Sequence, residues 1–264
     1  MTTEQIMKPV EGAGWLSGFR NMLRKENGSW ISTRRWLIQS VIWLLFVNGI
    51  VALMLSLSSN GSQPQMEALT ATELFFMMLG SVTPFGVIIL TQSDVVGEKQ
   101  SGTAEWVLSS PLSRESFLLS KLVANSAWVF AIMVFLHGVV FNLMLVAFGL
   151  PTVPVLNMAA GLTINFLHLL FWLTLALMLG ATFQSRGPVL GVSVAFLLLQ
   201  DFVMQLAARY APWVIPLLPK SLMVQGLQLA QGGGLASIVP AIAVALWSIV
   251  FTAAAIWRFR LEEF

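Results

Sequence analysis

Long apolar runs dominate the chain, and short polar segments separate them. Six of these runs approach the roughly 20 residues that a helix needs to cross the hydrocarbon core of a bilayer. They cover approximately residues 36–57, 74–90, 117–148, 156–183, 189–206 and 238–257. None of them has the alternating apolar and polar positions that are typical of membrane β-barrel strands. Because helices satisfy their own backbone hydrogen bonds in lipid, the pattern predicts an all-α membrane protein with six transmembrane helices in a single domain, 1–264.

The composition agrees with a protein that lipid solvates over much of its surface. Hydrophobic residues make up 57% of the chain and charged residues 10%, whereas soluble domains carry about 25% charged residues. The chain has no cysteine, which excludes disulfides and thiolate metal sites. Its net charge of +2 is too small to suggest nucleic-acid binding. We therefore expect the lipid bilayer, and no nucleic acid, among the partners.

Positive charges predict the orientation of the six helices. If the N-terminus is inside, Arg209 and Lys220 alone among the 14 Lys and Arg residues fall in outer segments. Short inner loops of membrane proteins carry an excess of Lys and Arg, and the opposite orientation would invert this distribution. The pattern predicts that both termini face the cytoplasm.

Local signals predict where two of the spans begin. Thr70 and Glu73 have the spacing of a capping box, with Thr70 as N-cap before the second span. Ser113 is a candidate N-cap for the third helix, and Glu115 lies in its first turn, where the helix dipole favours an acid. The third apolar run exceeds the bilayer thickness, so we expect its first turns, as far as Lys121, to stand in the cytosol.

Residues 15–30 predict an amphipathic helix in the inner membrane interface. Their apolar residues recur at helical spacing, whereas Arg20, Arg24 and Lys25 lie largely off that stripe. An ordinary basic juxtamembrane segment is the alternative.

Residues 93–116, between spans two and three, form the most informative segment. Asp94 and Glu98 are one helical turn apart, and Gly102 precedes a short predicted helix over 103–108. A short helix held under a membrane domain suits the docking of a soluble partner. The alternative is a solvated hairpin that only joins two spans.

The same segment carries a family resemblance. The run Asp94-x-x-x-Glu98-x-x-x-Gly102-Thr103-x-Glu105, then Leu108-Ser-Ser-Pro111-Leu-Ser-Arg114 with Lys121 in the next helix, resembles the ABC-2 type permeases. These are membrane subunits of type V ATP-binding-cassette exporters. The segments Arg24-Lys25-Glu26 and Arg34-Arg35-Trp36 are similar to the family's interfacial helix.

The resemblance implies an exporter permease of a prokaryotic inner membrane, with a nucleotide-binding ATPase subunit and a second permease copy or homologue as partners. The ATPase-coupling residues would be Asp94, Glu98, Lys99, Gly102, Thr103, Glu105, Trp106, Gln184 and Arg186. The small residues Gly187, Gly191 and Ala195 permit close helix approach, and the resemblance implies that they form the dimer interface. Packing within one subunit is the alternative for these three residues.

The last outer segment, 207–236, is apolar but too interrupted by proline and glycine to span the membrane. Such backbone is tolerated at membrane depth only where protein or a cavity covers it. The resemblance implies a re-entrant pair of short helices, and a loop at the membrane surface is the alternative.

The sequence lacks the chemistry for ATP hydrolysis. The phosphate-binding pattern Gly-x-x-x-x-Gly-Lys-Ser/Thr does not occur in it, so we expect ATP and Mg²⁺ on the partner subunit and no cofactor or metal in this chain. Polar residues inside the spans are expected to bond across helices; they are Asn48, His137, Asn142, Asn165, His168, Gln200 and Asp201. A membrane-embedded enzyme that uses the two His residues and an ion-driven secondary transporter remain alternative functions.

Overall fold

The computed structural model describes residues 14–58, 63–109 and 111–262. The rest of the chain, including Ser110 in the predicted docking loop, lies outside the described residues. In this part of the chain eleven α-helices follow one another: α1 Phe19–Ser32, α2 Arg35–Ser58, α3 Pro64–Thr91, α4 Val96–Gln100, α5 Thr103–Leu108, α6 Arg114–Val129, α7 Leu136–Ala147, α8 Val155–Thr182, α9 Arg186–Tyr210, α10 Lys220–Ala230 and α11 Val239–Arg260. A π-helical segment, Phe130–Phe135, joins α6 to α7, and a 3-10 helix, Pro212–Leu217, precedes α10.

Six helical stretches are long and apolar enough to cross a membrane: Arg35–Leu57, Pro64–Gln100, Arg114–Ala147, Val155–Thr182, Arg186–Tyr210 and Val239–Arg260. The predicted all-α fold with six transmembrane helices is confirmed. The predicted centres of all six spans lie within these stretches, because an apolar run of this length is itself the signal for a span.

The predicted start of the second span is wrong. α3 begins at Pro64, and proline suits a first helical position because its missing N–H needs no partner there. Thr70 therefore lies inside the helix, where its hydroxyl donates to the carbonyl of Met66 at 3.0 Å. Glu73 accepts a hydrogen bond from Gln231, at 3.3 Å, instead of reaching back to a cap.

The predicted start of the third helix is confirmed. Ser113 is the N-cap of α6, and its hydroxyl accepts a hydrogen bond from the backbone N–H of Ser116 at 3.1 Å. Glu115 occupies the first turn, as the helix dipole favours.

The core lies along α8, which packs against α3, α10 and α11. Glycine brings α10 very close to its neighbours, since a Cβ on Gly161 of α8 would lie 2.6 Å from the carbonyl oxygen of Gly226. A Cβ on Gly80 of α3 would lie 2.4 Å from the Cγ of Met223. The 3-10 helix and α10, which we call the 212–230 hairpin, are thus part of the helical bundle. The helix before it runs to Tyr210, four residues beyond the predicted end of span five.

Three helices at the periphery, α2, α9 and α11, expose rows of large apolar side chains, among them Leu45, Leu198 and Ile249. Such faces are what lipid or a second membrane-embedded subunit covers. On α9 the exposed residues include Gly187, Gly191 and Ala195. A Cβ at either glycine would meet no atom within 4 Å among the described residues. Among the described residues, no helix of the same chain packs against these two glycines.

Candidate functional site

One end of the bundle gathers most of the described charged side chains. Here α1, α4, α5, the start of α6, the start of α9 and the end of α11 come together, and we call this region the charged end. Pairs far apart in sequence define it: Lys25 contacts Glu98, and Lys99 contacts Glu262.

A buried lysine lies at the centre of the charged end. Lys121 of α6 is 1% exposed, and its ammonium lies 2.9 Å from a carboxylate oxygen of Glu26 in α1 and 3.0 Å from one of Glu98 in α4. Lys25 lies 2.8 Å from the same oxygen of Glu98. These four residues form the Lys121 cluster, in which two cations offset two anions and join three helices.

A second set of polar contacts fixes the end of α3. Asp94 accepts a hydrogen bond from the amide of Asn125 at 2.6 Å and lies 3.7 Å from the guanidinium of Arg35. The Asn125 oxygen accepts from the indole N–H of Trp30 at 3.2 Å. Arg35 also donates to the carbonyl of Leu90 at 2.8 Å. The residues just after α3 are therefore fastened to α1, α2 and α6.

A third set of contacts ties α4 to the far end of the chain. The Lys99 ammonium lies 2.7 Å from a carboxylate oxygen of Glu262 and donates to the carbonyl of Ala181 at 2.9 Å. The side-chain amide of Gln184 donates to the other carboxylate oxygen of Glu262. The main-chain carbonyl of Gln184 accepts from the side-chain amide of Gln100 at 2.9 Å. Because Lys99 is nearly fully buried, these contacts also satisfy a charge that water cannot reach.

The predicted short helix is present as α5, and one side of it is exposed. Gly102 precedes it in the left-handed region, with φ at +69°. Ala104 is buried against the cluster of apolar residues that contains Met22 and Phe117, whereas Glu105 is exposed and Trp106 is 77% exposed. The helix thus buries its small residue and presents its indole outward.

A cleft lies between α1 and α5. Its volume is about 460 Å³, and its walls include Asn21 and Lys25 on one side and Trp106 and Val107 on the other. An open cleft beside an exposed Trp is a surface that a protruding segment of another protein can fill, because buried aromatic residues dominate many interfaces.

The structure divides the predicted coupling residues into two groups. Asp94, Glu98 and Lys99 are engaged in the buried contacts described above, so they hold the loop in place. Glu105 and Trp106 point away from the bundle, and Thr103 is half-buried beside the hydroxyl of Ser101 at 2.7 Å.

The remaining predicted residues lie around the same end. Arg20 and Arg24 are exposed on α1, and Arg186 is exposed at the start of α9, beside Gly97. In the predicted interfacial segment, helix α1 begins at Phe19, because the preceding residue, Gly18, has a left-handed conformation with φ at +75°. Met22 of the predicted membrane-facing stripe is instead buried within the protein.

Several residues of the site were not predicted. Glu26, Asn125 and Glu262 had no assigned contact, and the burial of Lys121 between two carboxylates was not predicted. A usable signal existed in α6, where Lys121, Asn125 and Trp128 share one face of a largely apolar helix at helical spacing. That face packs on α1: the rings of Trp128 and Trp30 stack at 5.5 Å.

These features define a multi-pass α-helical membrane protein in which buried ion pairs anchor α4, the first short helix of the loop between spans two and three. The chain belongs to the family described as "Protein of unknown function (DUF2705)", whose model matches residues 33–263. It is also similar to the probable ABC transporter permease protein NosY of Pseudomonas aeruginosa. The two are 27% identical over 248 residues, which cover 81% of this chain and 85% of the relative. This similarity supports a permease of the ABC type.

Gly102→Ala is expected to destabilise α5 by about 1 kcal/mol, because only glycine adopts a positive φ without cost. A methyl group there would meet no described atom within 4 Å, so the expected cost comes from the backbone. Hydrogen–deuterium exchange of α5 amides should accelerate about five-fold. Gly28→Ala is the matched control, since it also has open space but lies inside helix α1. Equal changes in exchange at the two sites would contradict the explanation.

Proposed function

We propose that this chain is the membrane-spanning permease subunit of an ABC-2 type exporter, driven by a separate ATPase subunit. Three findings support the proposal: the six membrane-spanning helices, the similarity to a probable ABC transporter permease, and a sequence without a phosphate-binding loop. The observation that carries it is α5, a short helix with an exposed indole, which follows a helix, α4, that is anchored to the spans.

The proposed mechanism is mechanical. ATP and Mg²⁺ bind the partner ATPase, and closure of that partner displaces α5 and the cleft beside it. Only two residues separate α4 from α5 along the chain. Charged side chains join α4 to α1, α6 and the end of α8. A displacement of α5 therefore moves these elements together. Arg186 and Gln184, at the rim of the charged end, would provide a second contact.

In this proposal a second copy or homologue covers the exposed face of α9. Gly187, Gly191 and Ala195 would let a helix of the other subunit approach closely. In this proposal the charged end, with its excess of Lys and Arg, and both termini would lie on the cytoplasmic side of a prokaryotic inner membrane. Arg20, Arg24 and Lys25 would then lie at the inner interface, where anionic headgroups attract basic side chains.

Co-expression with the phosphate-binding-loop ATPase encoded nearest to it tests the proposal. We expect the two chains to purify together in detergent, with a mass that corresponds to two copies of each, and the permease to alter the ATPase rate. A permease that is monodisperse but neither retains the ATPase nor changes its rate would refute the proposed function.

A further inference from the structure

A proline interrupts α3 at a buried position. Pro84 lies within the helix and has no N–H, so the carbonyl of Gly80, four residues earlier, lacks its main-chain partner. A buried carbonyl without a partner costs free energy, and buried carbonyls are usually satisfied in some other way.

His168 of α8 approaches this carbonyl. Its Nε2 lies 3.1 Å from the Gly80 oxygen, and its Nδ1 lies 2.9 Å from the carbonyl oxygen of Pro219 in the 212–230 hairpin. The ring is 1% exposed. One imidazole therefore lies between the interrupted turn of α3 and the turn that starts α10.

The two carbonyls compete for the ring proton. A neutral imidazole carries one N–H, so it donates either to Gly80 or to Pro219. With the proton on Nδ1, Nε2 is free to accept from the indole N–H of Trp172, 3.3 Å away. Movement of the proton between the nitrogens exchanges a bond to the hairpin for a bond to α3.

His137 provides a useful contrast. It is equally buried, but its Nδ1 contacts the carbonyl of Ile132 in its own span, within the π-helical segment, at 2.8 Å. It also lies away from the hairpin, near Asn48, whose amide donates to the His137 carbonyl at 3.1 Å. The two histidines thus share a chemistry but not a location.

We propose that His168 is a positioning residue that fastens the 212–230 hairpin beside the proline-interrupted turn of α3, with one N–H that it donates to either of their carbonyls. The C-terminal end of α3 leads to α4, and the Lys121 cluster holds α4 in place. Displacement of α4 at the charged end would therefore be transmitted along α3 to Gly80 and, through His168, to the 212–230 hairpin. This transport consequence rests on the proposed function, whereas the fastening itself is a property of the permease alone.

Cross-linking measures the fastening directly, because the chain has no cysteine. The Ser81 hydroxyl oxygen lies 3.7 Å from the Met223 sulfur, so Ser81→Cys with Met223→Cys places two thiols across the contact between α3 and α10. The rate of oxidative cross-linking is measured on the monodisperse permease in detergent, without an ATPase. His168→Leu, which removes the donor to either carbonyl, should slow this rate by about ten-fold or more.

Two finer variants separate the two bonds. The Asn amide nitrogen can take the place of Nδ1, so His168→Asn keeps the donor to Pro219 and loses the one to Gly80. The Gln amide nitrogen can take the place of Nε2, so His168→Gln does the reverse. Because the ring has one N–H, the variant that loses the bond present in the wild-type protein should slow cross-linking by roughly three- to ten-fold, and the other variant should change the rate less. His137→Asn is the matched control and should leave the rate unchanged.

Pro84→Ala distinguishes the proposal from a general packing role. The new N–H at position 84 donates to Gly80 within the helix, so the bond from His168 is no longer needed there. In this background the ring N–H is left for Pro219, so His168→Asn should have little further effect, whereas His168→Gln should slow cross-linking by roughly three- to ten-fold. Equal effects of His168→Asn and His168→Gln in the Pro84→Ala background, or unchanged cross-linking in His168→Leu, would overturn the proposal. Neither result bears on whether an ATPase binds the charged end.

Discussion

Lys121→Met is expected to destabilise the protein by about 3–5 kcal/mol, the usual cost of removing one partner from a buried ion pair. The variant leaves the carboxylates of Glu26 and Glu98 facing each other without the buried ammonium. One Glu98 oxygen already lacks a hydrogen-bond partner in the described structure. Lys121 also lies over the ring of Phe117, 5.0 Å from its centre, and that contact is lost too. Equilibrium unfolding in mixed detergent and denaturing surfactant measures the free energy of unfolding.

Two controls isolate the charge. Lys25→Met removes the other cation of the Lys121 cluster, but that side chain is 44% exposed, so its loss should cost below about 1 kcal/mol. Adding Glu26→Gln and Glu98→Gln to Lys121→Met should recover much of the lost free energy, because no unpaired charge then stays buried. Equal losses for the two lysine variants, or no recovery in the triple variant, would contradict this account of the cluster.

The helices discussed next could be predicted because local patterns in the sequence determine them. The six spans are recognisable because an apolar run of sufficient length has one stable conformation in lipid. α5 was predicted at its observed bounds, since Gly102 and the polar residues after Leu108 interrupt the helix on both sides. Ser113 was recognised as a cap for the same reason: its hydroxyl bonds a backbone N–H three residues away.

The contacts at the charged end could not be predicted in this way. Lys121 meets partners 95 and 23 residues away in sequence, Glu26 and Glu98. No local pattern distinguishes a lysine that water solvates from one that two distant carboxylates neutralise. At Thr70 and Glu73 a local pattern exists, but the prediction based on it is wrong. The favourable start at Pro64 extends the helix past Thr70, and the tertiary contact with Gln231 takes the carboxylate of Glu73.

The Lys121 cluster also explains why the predicted coupling residues divide into two groups. Glu98 and Asp94 are in contact with cations or amides of other helices, so under the proposed function they would transmit a displacement instead of meeting a partner. The exposed side of α5 would then be left for the partner itself. A variant that affects binding without affecting stability should therefore lie on α5, and Trp106 is the largest side chain there.

Trp106→Ala is expected to weaken binding of the ATPase by at least about 30-fold, equivalent to the 2 kcal/mol or more that a central aromatic residue contributes to an interface. The permease itself should keep its stability, because the indole is 77% exposed and leaves no cavity in the bundle. Binding is measured by titration of the purified ATPase onto permease in nanodiscs, with ATP hydrolysis as the second readout.

Trp213→Ala is the matched control, since this Trp is 72% exposed but lies on the 212–230 hairpin, away from α5. Both variants remove an exposed indole, so a difference in ATPase binding isolates the location. Equal weakening by the two variants would indicate an effect of the substitution itself. Unchanged binding by Trp106→Ala would exclude α5 as the docking helix and turn attention to Arg186 and Gln184, while the permease class, which the six spans and the NosY similarity support, would stand.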